Sequence, residues 1–499
     1  MTLKQIFLGI LTLLMVVIVG SSLFNSLTQP QIQSRLELYQ TNLILHATEW
    51  QPELNDNPSW VAVQNSIIGE NGFKTALKQY QTVQEAAEEN LNKAQELPEE
   101  LTVDSELNQM QSFLSEVNLQ LGILQAKQDE INQAIARWNT IIEQNFNPQS
   151  VQTAQVLIGL WSQPAQLFPN ADAILNQNLQ GWFRYYTLTQ LYQLQERESA
   201  LETLRIKEQP AAEQAFKKLL IVSVIPGAGL FLGTLLLIGL GIQWLLNRKD
   251  AIVTRYSQTQ WSVPWDWETI LQVFILGFFV VGQLLVPIAS ALIFQTLGLQ
   301  PASFSPRGKA IYVLINYIIL ASAGLSVLYF SIKSFFPLPE AWFKFNLRSG
   351  WFLWGFGGYL TALPLVILVS IANQQIWDGQ GGSNPILPIA LENRDTVALF
   401  IFFITASVAA PLFEEILFRG FLLPSLTRYF PVWAAIILSS LLFAVAHLNI
   451  SEVIPLATLG CILGVVYTRS RNLLSSILLH GLWNSGTLLS LYILGSGTT

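Results

Sequence analysis

Nine stretches of this chain are apolar for long enough to form membrane helices, and they limit the fold before any motif is read. A bilayer core about 30 Å thick needs about 20 apolar residues as helix. The candidate spans are 5–25, 219–246, 268–298, 309–331, 350–373, 396–418, 432–448, 453–468 and 473–495. The seventh and eighth are short, and the third is long enough to tilt or break, with Pro287 inside it. The runs are unbroken rather than alternating, so helices are expected and not a barrel. Only 12% of the 499 residues are charged, against about 25% in an ordinary soluble domain. The deficit lies in 1–27 and 219–495; residues 28–218 are polar. The expected fold is all-α: a polytopic helical membrane protein with an inserted helical extramembrane domain.

Residues 1–27 read as a membrane anchor or signal, 28–218 as the polar domain, 219–395 as accessory transmembrane helices and 396–495 as a further membrane region. The first span follows the short leader MTLKQ. Gly20, Ser21 and Ser22 resemble a cleavage site, but no A-x-A occurs, so an uncleaved anchor is expected. Arg and Lys set the orientation. With a cytosolic N-terminus, the inner segments hold eleven: Lys4, Arg248, Lys249, Arg255, Lys333, Lys344, Arg348, Arg419, Arg428, Arg469 and Arg471. The outer loops hold three: Arg307, Lys309 and Arg394. Lys217 and Lys218 oppose this, but they end a long domain, where the rule is weak. Residues 28–218 are therefore expected outside the cytosol, in a bacterial inner membrane protein or its equivalent.

The polar region has few Gly and long helix-favouring stretches. Ala76, Leu77, Tyr80 and Val83 space like one helix face, as do Leu114, Val117, Leu121 and Leu124, then Ile131 and Ile135. Asn55-Asp56-Asn57-Pro58, Pro98, Asn147-Pro148 and Pro169-Asn170 mark helix ends. Stacked helical hairpins are expected, with a coiled coil over 70–140 as the competitor. Trp182 to Tyr186 with Leu191, Ala200 and Leu204 loosely resembles a tetratricopeptide pair, without a clean repeat. No catalytic constellation occurs here; His46 is expected to pack or face solvent, and a protein partner for this domain stays open.

The chemistry concentrates near the C-terminus, where polar groups stand among apolar ones and are functional candidates for that reason. They fall in APLFEEILFRG (410–420), FAVAH (443–447) and HGLWN (480–484). Glu415 and Arg419 are four apart and can pair as a structural unit, leaving Glu414 about 100° away to face another partner. His480 and Asn484 are also four apart and can face one cavity, although Asn484 equally suits a bond between helices. Counting from the turn near Tyr429-Phe430-Pro431, Glu414 and His447 lie roughly 22 and 26 Å along their helices, so they are expected to meet. The chain has three histidines, and two of them stand in this region. The one cysteine, Cys461, excludes an intramolecular disulfide and a thiolate metal cage and reads as a small packed residue.

The ordered set EExxxR (Glu414, Glu415, Arg419), FxxxH (Phe443, His447) and HxxxN (His480, Asn484) resembles the CAAX-protease and bacteriocin-processing (abortive infection) family of intramembrane proteases. The likeness covers about 396–495, a fifth of the chain, and leaves 28–218 unexplained. It implies endopeptidase activity on a membrane-associated protein or peptide, with 396–495 as catalytic core. Eukaryotic members of the family trim prenylated C-termini, and bacterial ones are often linked to peptide processing or immunity. The family is commonly called metal-dependent, and a metal-free glutamate mechanism has also been argued for it.

Peptide hydrolysis needs an activated water and a stabilised oxyanion. A carboxylate desolvated in the membrane can act as a base near neutral pH. In the metal-free version Glu414, aided by His447, holds the water, while His480 and Asn484 donate to the oxyanion. In the metal version His447 and His480 bind Zn²⁺, with Glu414 as ligand or base. No HExxH occurs, so the soluble zincin signature does not apply. Two other classes stay open: a non-catalytic membrane scaffold or immunity protein, and a transporter, which the lack of a paired repeat disfavours. The lipid bilayer is an expected partner, and nucleic acid is not.

Overall fold

A computed structural model describes residues 2–27, 33–51, 59–69, 71–96, 104–377 and 395–495, and all regular structure among them is helical. The predicted helix ends at Asn55–Pro58 and Pro98, and Arg394 of the charge count, lie outside the described residues. The chain divides into two compact units: Met1–Ile32 with Ile225–Tyr492, and Gln33–Val224 with Ile493–Thr499.

The first unit is that of a multi-pass membrane protein. Among the described residues, seven helices are long and apolar enough to cross a bilayer: Leu3–Ser26, Glu198–Asp250, Trp267–Thr296, Pro306–Phe335, Trp351–Trp377, Thr396–Leu426 and Ile450–Ser470. The other two expected spans are also helices. Val432–Val445 has only 14 residues, about 21 Å of helix. Leu473–Gly495 is a 23-residue helix that carries Ser475, Ser476, His480, Asn484 and Ser485 within its apolar run.

Three boundaries differ from expectation. The second span is the end of a 50-residue helix, Glu198–Asn247, which begins well before residue 219. The third does not break at Pro287. Its backbone widens to π spacing over Gln272–Leu285 before resuming as Val286–Thr296, and a wide turn accommodates the N–H that proline lacks. The seventh ends at Val445 rather than 448, because Leu448 takes a left-handed φ of 61°.

The N-terminal helix is built into this unit. Thr2 and Gln5 form a reciprocal cap at its start. Gln5 donates to Glu268, and Ser26 accepts the Ile450 N–H at 3.0 Å. Met15 and Val19 join a core with Trp261, Trp265, Phe278, Phe418 and Phe443.

The second unit packs successive helices around a core of Tyr80, Trp138, Trp161, Trp182, Phe183 and Leu191. The predicted faces Ala76, Leu77, Tyr80 and Val83, and Leu114, Val117, Leu121 and Leu124, are buried as their spacing requires. Asn147-Pro148 and Asn170 start helices, Asn147 by accepting the Gln149 N–H at 2.9 Å. His46 is buried, with Nδ1 2.5 Å from Glu208 Oε1.

Candidate active site

The two glutamates sit on a helix that changes width around them. Thr396–Ile404 is α-helical, Thr405–Ala409 opens to π spacing, Ala410–Glu415 is α-helical and Ile416–Leu422 opens again. Such widened turns recur at functional sites because they redirect side chains and free backbone carbonyls. Here the Ala410 N–H reaches back five residues to Thr405 O. The next bond in that pattern would run from residue 411 to Ala406 O, but residue 411 is proline and has no N–H. Asn484 fills the place: its Nδ2 donates to Ala406 O at 2.8 Å. Gly481 permits the approach, since a Cβ there would stand 2.7 Å from Ser407 O.

Glu415 points inward and is fully enclosed. Its Oε1 accepts from Arg419 at 2.7 Å and lies 2.9 Å from His480 Nδ1. Arg419 also donates to Gly460 O at 3.2 Å and lies 4.5 Å from the Phe443 ring centre. A cation over an aromatic face gains part of what it loses on leaving water. The sequence expectation of a Glu415–Arg419 pair corresponds to a buried ion pair with both side chains at most 1% exposed.

Glu414 points elsewhere and keeps 17% of its side chain exposed, against 4% for His480. Its Oε1 accepts from the Tyr317 hydroxyl at 3.3 Å, and its Oε2 lies 3.9 Å from His480 Nε2. His480 thus stands between the two carboxylates, one on each ring nitrogen. Among the described residues, Glu414's direct polar partners are Tyr317 and His480, and not His447.

His447 lies in the turn after Val432–Val445, half-buried, with Nδ1 2.9 Å from Phe443 O. A carbonyl partner makes Nδ1 the donor and leaves Nε2 for another group. Phe443 holds the arrangement together. Its ring meets His447 edge-on at 4.9 Å and His480 at 5.6 Å, beneath Arg419. Burial sorts the motif residues. Glu415, Arg419, Phe443 and His480 are buried, and Glu414, His447 and Asn484 remain partly open. Cys461 is free and only half-buried.

Among the described residues, no three His, Cys, Asp or Glu side chains are grouped so as to hold a metal ion. His480 has Nδ1 committed to Glu415 and Nε2 turned toward Glu414, and His447, His480 and Glu414 as placed are not such a group. Tyr317 was missed by the sequence reading. Its only signal is a polar hydroxyl in the middle of an apolar run, with no motif around it.

Comparison with known proteins adds to this geometry. Residues 396–486 match the family model described as type II CAAX prenyl endopeptidase Rce1-like. The membrane-embedded CAAX protease MroQ of Staphylococcus aureus (strain USA300) is 29% identical over 137 residues, 26% of this chain and 54% of MroQ. An uncharacterised 24.3 kDa protein of Escherichia coli is 33% identical over 103 residues, 20% of this chain and 48% of that protein. The chain thus spans about half the length of these curated relatives, and no solved structure matches it. The match to the Rce1-like model lies in the C-terminal region of the chain and encloses all three motifs, from Glu414 to Asn484.

Proposed function

We propose that this chain is an intramembrane endopeptidase that hydrolyses a peptide bond of a membrane-associated protein or peptide, with Glu414 as general base. The observation that carries the reading is the division of labour between adjacent carboxylates. Glu415 is neutralised by Arg419 and spent on orienting His480, whereas Glu414 is partly open and has no cation paired to it within hydrogen-bond distance.

The 3.9 Å from Glu414 Oε2 to His480 Nε2 is too long for a direct hydrogen bond. It is short enough for one water to touch both. Glu414 takes a proton from that water as its oxygen attacks the scissile carbonyl carbon. His480, when protonated, donates from Nε2 to the developing oxyanion while Glu415 holds Nδ1, as a buried carboxylate orients a catalytic imidazole elsewhere. Asn484 commits one N–H to Ala406 O and has a second to offer. His447 presents Nε2 from the open side. Collapse of the tetrahedral species breaks the C–N bond, and Glu414 returns its proton to the leaving nitrogen.

Support for a CAAX-type substrate comes from the family of the C-terminal domain and from the printed name of the Staphylococcus relative. The test is the reconstituted full chain with a quenched farnesylated CAAX-box peptide and a library of unprenylated peptides. Glu414→Gln should reduce cleavage at least roughly 10²–10⁴-fold, the loss expected for a general base, with thermal stability near wild type. Full cleavage by this variant would reject Glu414 as the base, and no cleavage by the wild type would favour a scaffold. A strong chelator should leave wild-type activity intact; loss that zinc restores would instead assign His447 and His480 to a metal.

A further inference from the structure

We infer that Tyr317 is a positioning residue for Glu414, supplied by a helix outside the region that matches the family. This rests on the peptidase reading above and adds to it a part of the site that none of the three motifs contains.

Tyr317 lies in Pro306–Ile332, eleven residues after Pro306, about 17 Å along the helix and so well inside a bilayer. A phenol there is costly unless its hydroxyl finds a partner. The partner is Glu414 Oε1 at 3.3 Å. That is long for an O–H···O bond, as hydrogen bonds in unliganded sites often are before substrate tightens them. The neighbouring Asn316 does not compete, because its amide donates to Tyr312 O on its own helix.

The contact is held by packing next to the glutamate. The Tyr317 ring meets Phe413 edge-on at 6.1 Å. Two turns further on, a Cβ at Gly324 would stand 3.1 Å from the same Phe413 ring. Phe413 is therefore gripped from two levels of one helix, and Glu414 follows it in sequence.

The consequence is mechanical. The last torsion of a glutamate side chain is broad, so a carboxylate with one partner can turn freely. With Oε1 fixed by Tyr317, Oε2 is the oxygen left facing His480 Nε2 and the attacking water. A neutral donor suits this task, since a cation on Oε1 would remove the basicity that the reaction needs. Glu415, which carries the cation, is the counterexample one residue away.

Tyr317→Phe tests this in the full reconstituted chain with the farnesylated peptide. Losing a hydrogen bond to a charged group should lower kcat roughly 10- to 100-fold, with KM and melting temperature unchanged. In the infrared spectrum, the carboxylate band assigned to Glu414 by its loss in Glu414→Gln should shift in Tyr317→Phe. An unmoved band or wild-type kcat would overturn the proposal, and so would a kcat loss matched by a fall in melting temperature with no band shift. The two readings separate cleanly. If Glu414→Gln is inactive and Tyr317→Phe is not, the protease stands and the positioning role falls. If Glu414→Gln cleaves normally, the role of Glu414 as general base falls whatever the band does.

Discussion

Glu414 and Glu415 begin with the same side chain and end with different chemistry because successive helical residues point about 100° apart. One direction meets Arg419, four residues on; the other meets Tyr317, a helix away. The first relation could be read from spacing, since i and i+4 share a face. The second could not, because Tyr317 stands 97 positions before Glu414 with nothing local to link them. The same limit explains His480. Its spacing to Asn484 was visible, but which glutamate it would meet depended on how Leu473–Gly495 packs, and it reached both. The distinction predicts different phenotypes for the same change. Glu415→Gln removes the carboxylate from a fully buried guanidinium, a change that costs about 3–5 kcal/mol when one partner of a buried pair is lost. Its melting temperature should fall clearly, and activity should recover in part at low temperature where the fold survives. Glu414→Gln should do the reverse, losing turnover without losing stability. Equal melting temperatures for the two variants would contradict the structural role given to Glu415.

The element that carries the glutamates is unusual in its backbone rather than its composition. An apolar run such as 396–418 predicts a helix but not its width, because α and π turns bury the same kinds of side chain. Pro411 and Pro424 were the available signs, each just inside an α-helical segment that follows a widened stretch. The cost of Pro411 is the carbonyl of Ala406, and Asn484 meets it from the last helix. Asn484 therefore ties two helices together as well as facing the site, so its removal should show in both measurements. Asn484→Ala leaves the part-buried Ala406 O without that donor, and an unsatisfied carbonyl costs up to about 1–3 kcal/mol where water cannot reach it. The expected outcome is reduced activity together with a lower melting temperature, unlike Glu414→Gln. Asn484→Gln or Asn484→Asp, which change reach or remove the donor, should not restore both. Activity lost with unchanged stability would assign Asn484 to the oxyanion alone.

At the scale of the whole chain, the side of the membrane on which each segment lies is written in its basic residues. The membrane unit gathers several of those assigned to the cytosolic side onto one segment. Arg471 stacks 3.5 Å over the Trp261 ring centre, Arg469 donates to Val253 O at 2.6 Å, and Arg428 donates to Trp265 O. Arg255 belongs to that same stretch. These residues come from three separate stretches of sequence, so their convergence is a property of the fold and agrees with a single cytosolic face. This distribution of basic residues supports the proposal that residues 28–218 face away from the cytosol. Reporter fusions decide it. A reporter active only outside the cytosol should be active when fused at Glu96 and silent at Arg248, and a cytosolic reporter should give the converse. If the Glu96 fusion reports cytosol, the orientation is inverted. Glu414 and His447 would then open toward the other compartment, and substrates anchored to the cytosolic leaflet would be out of reach.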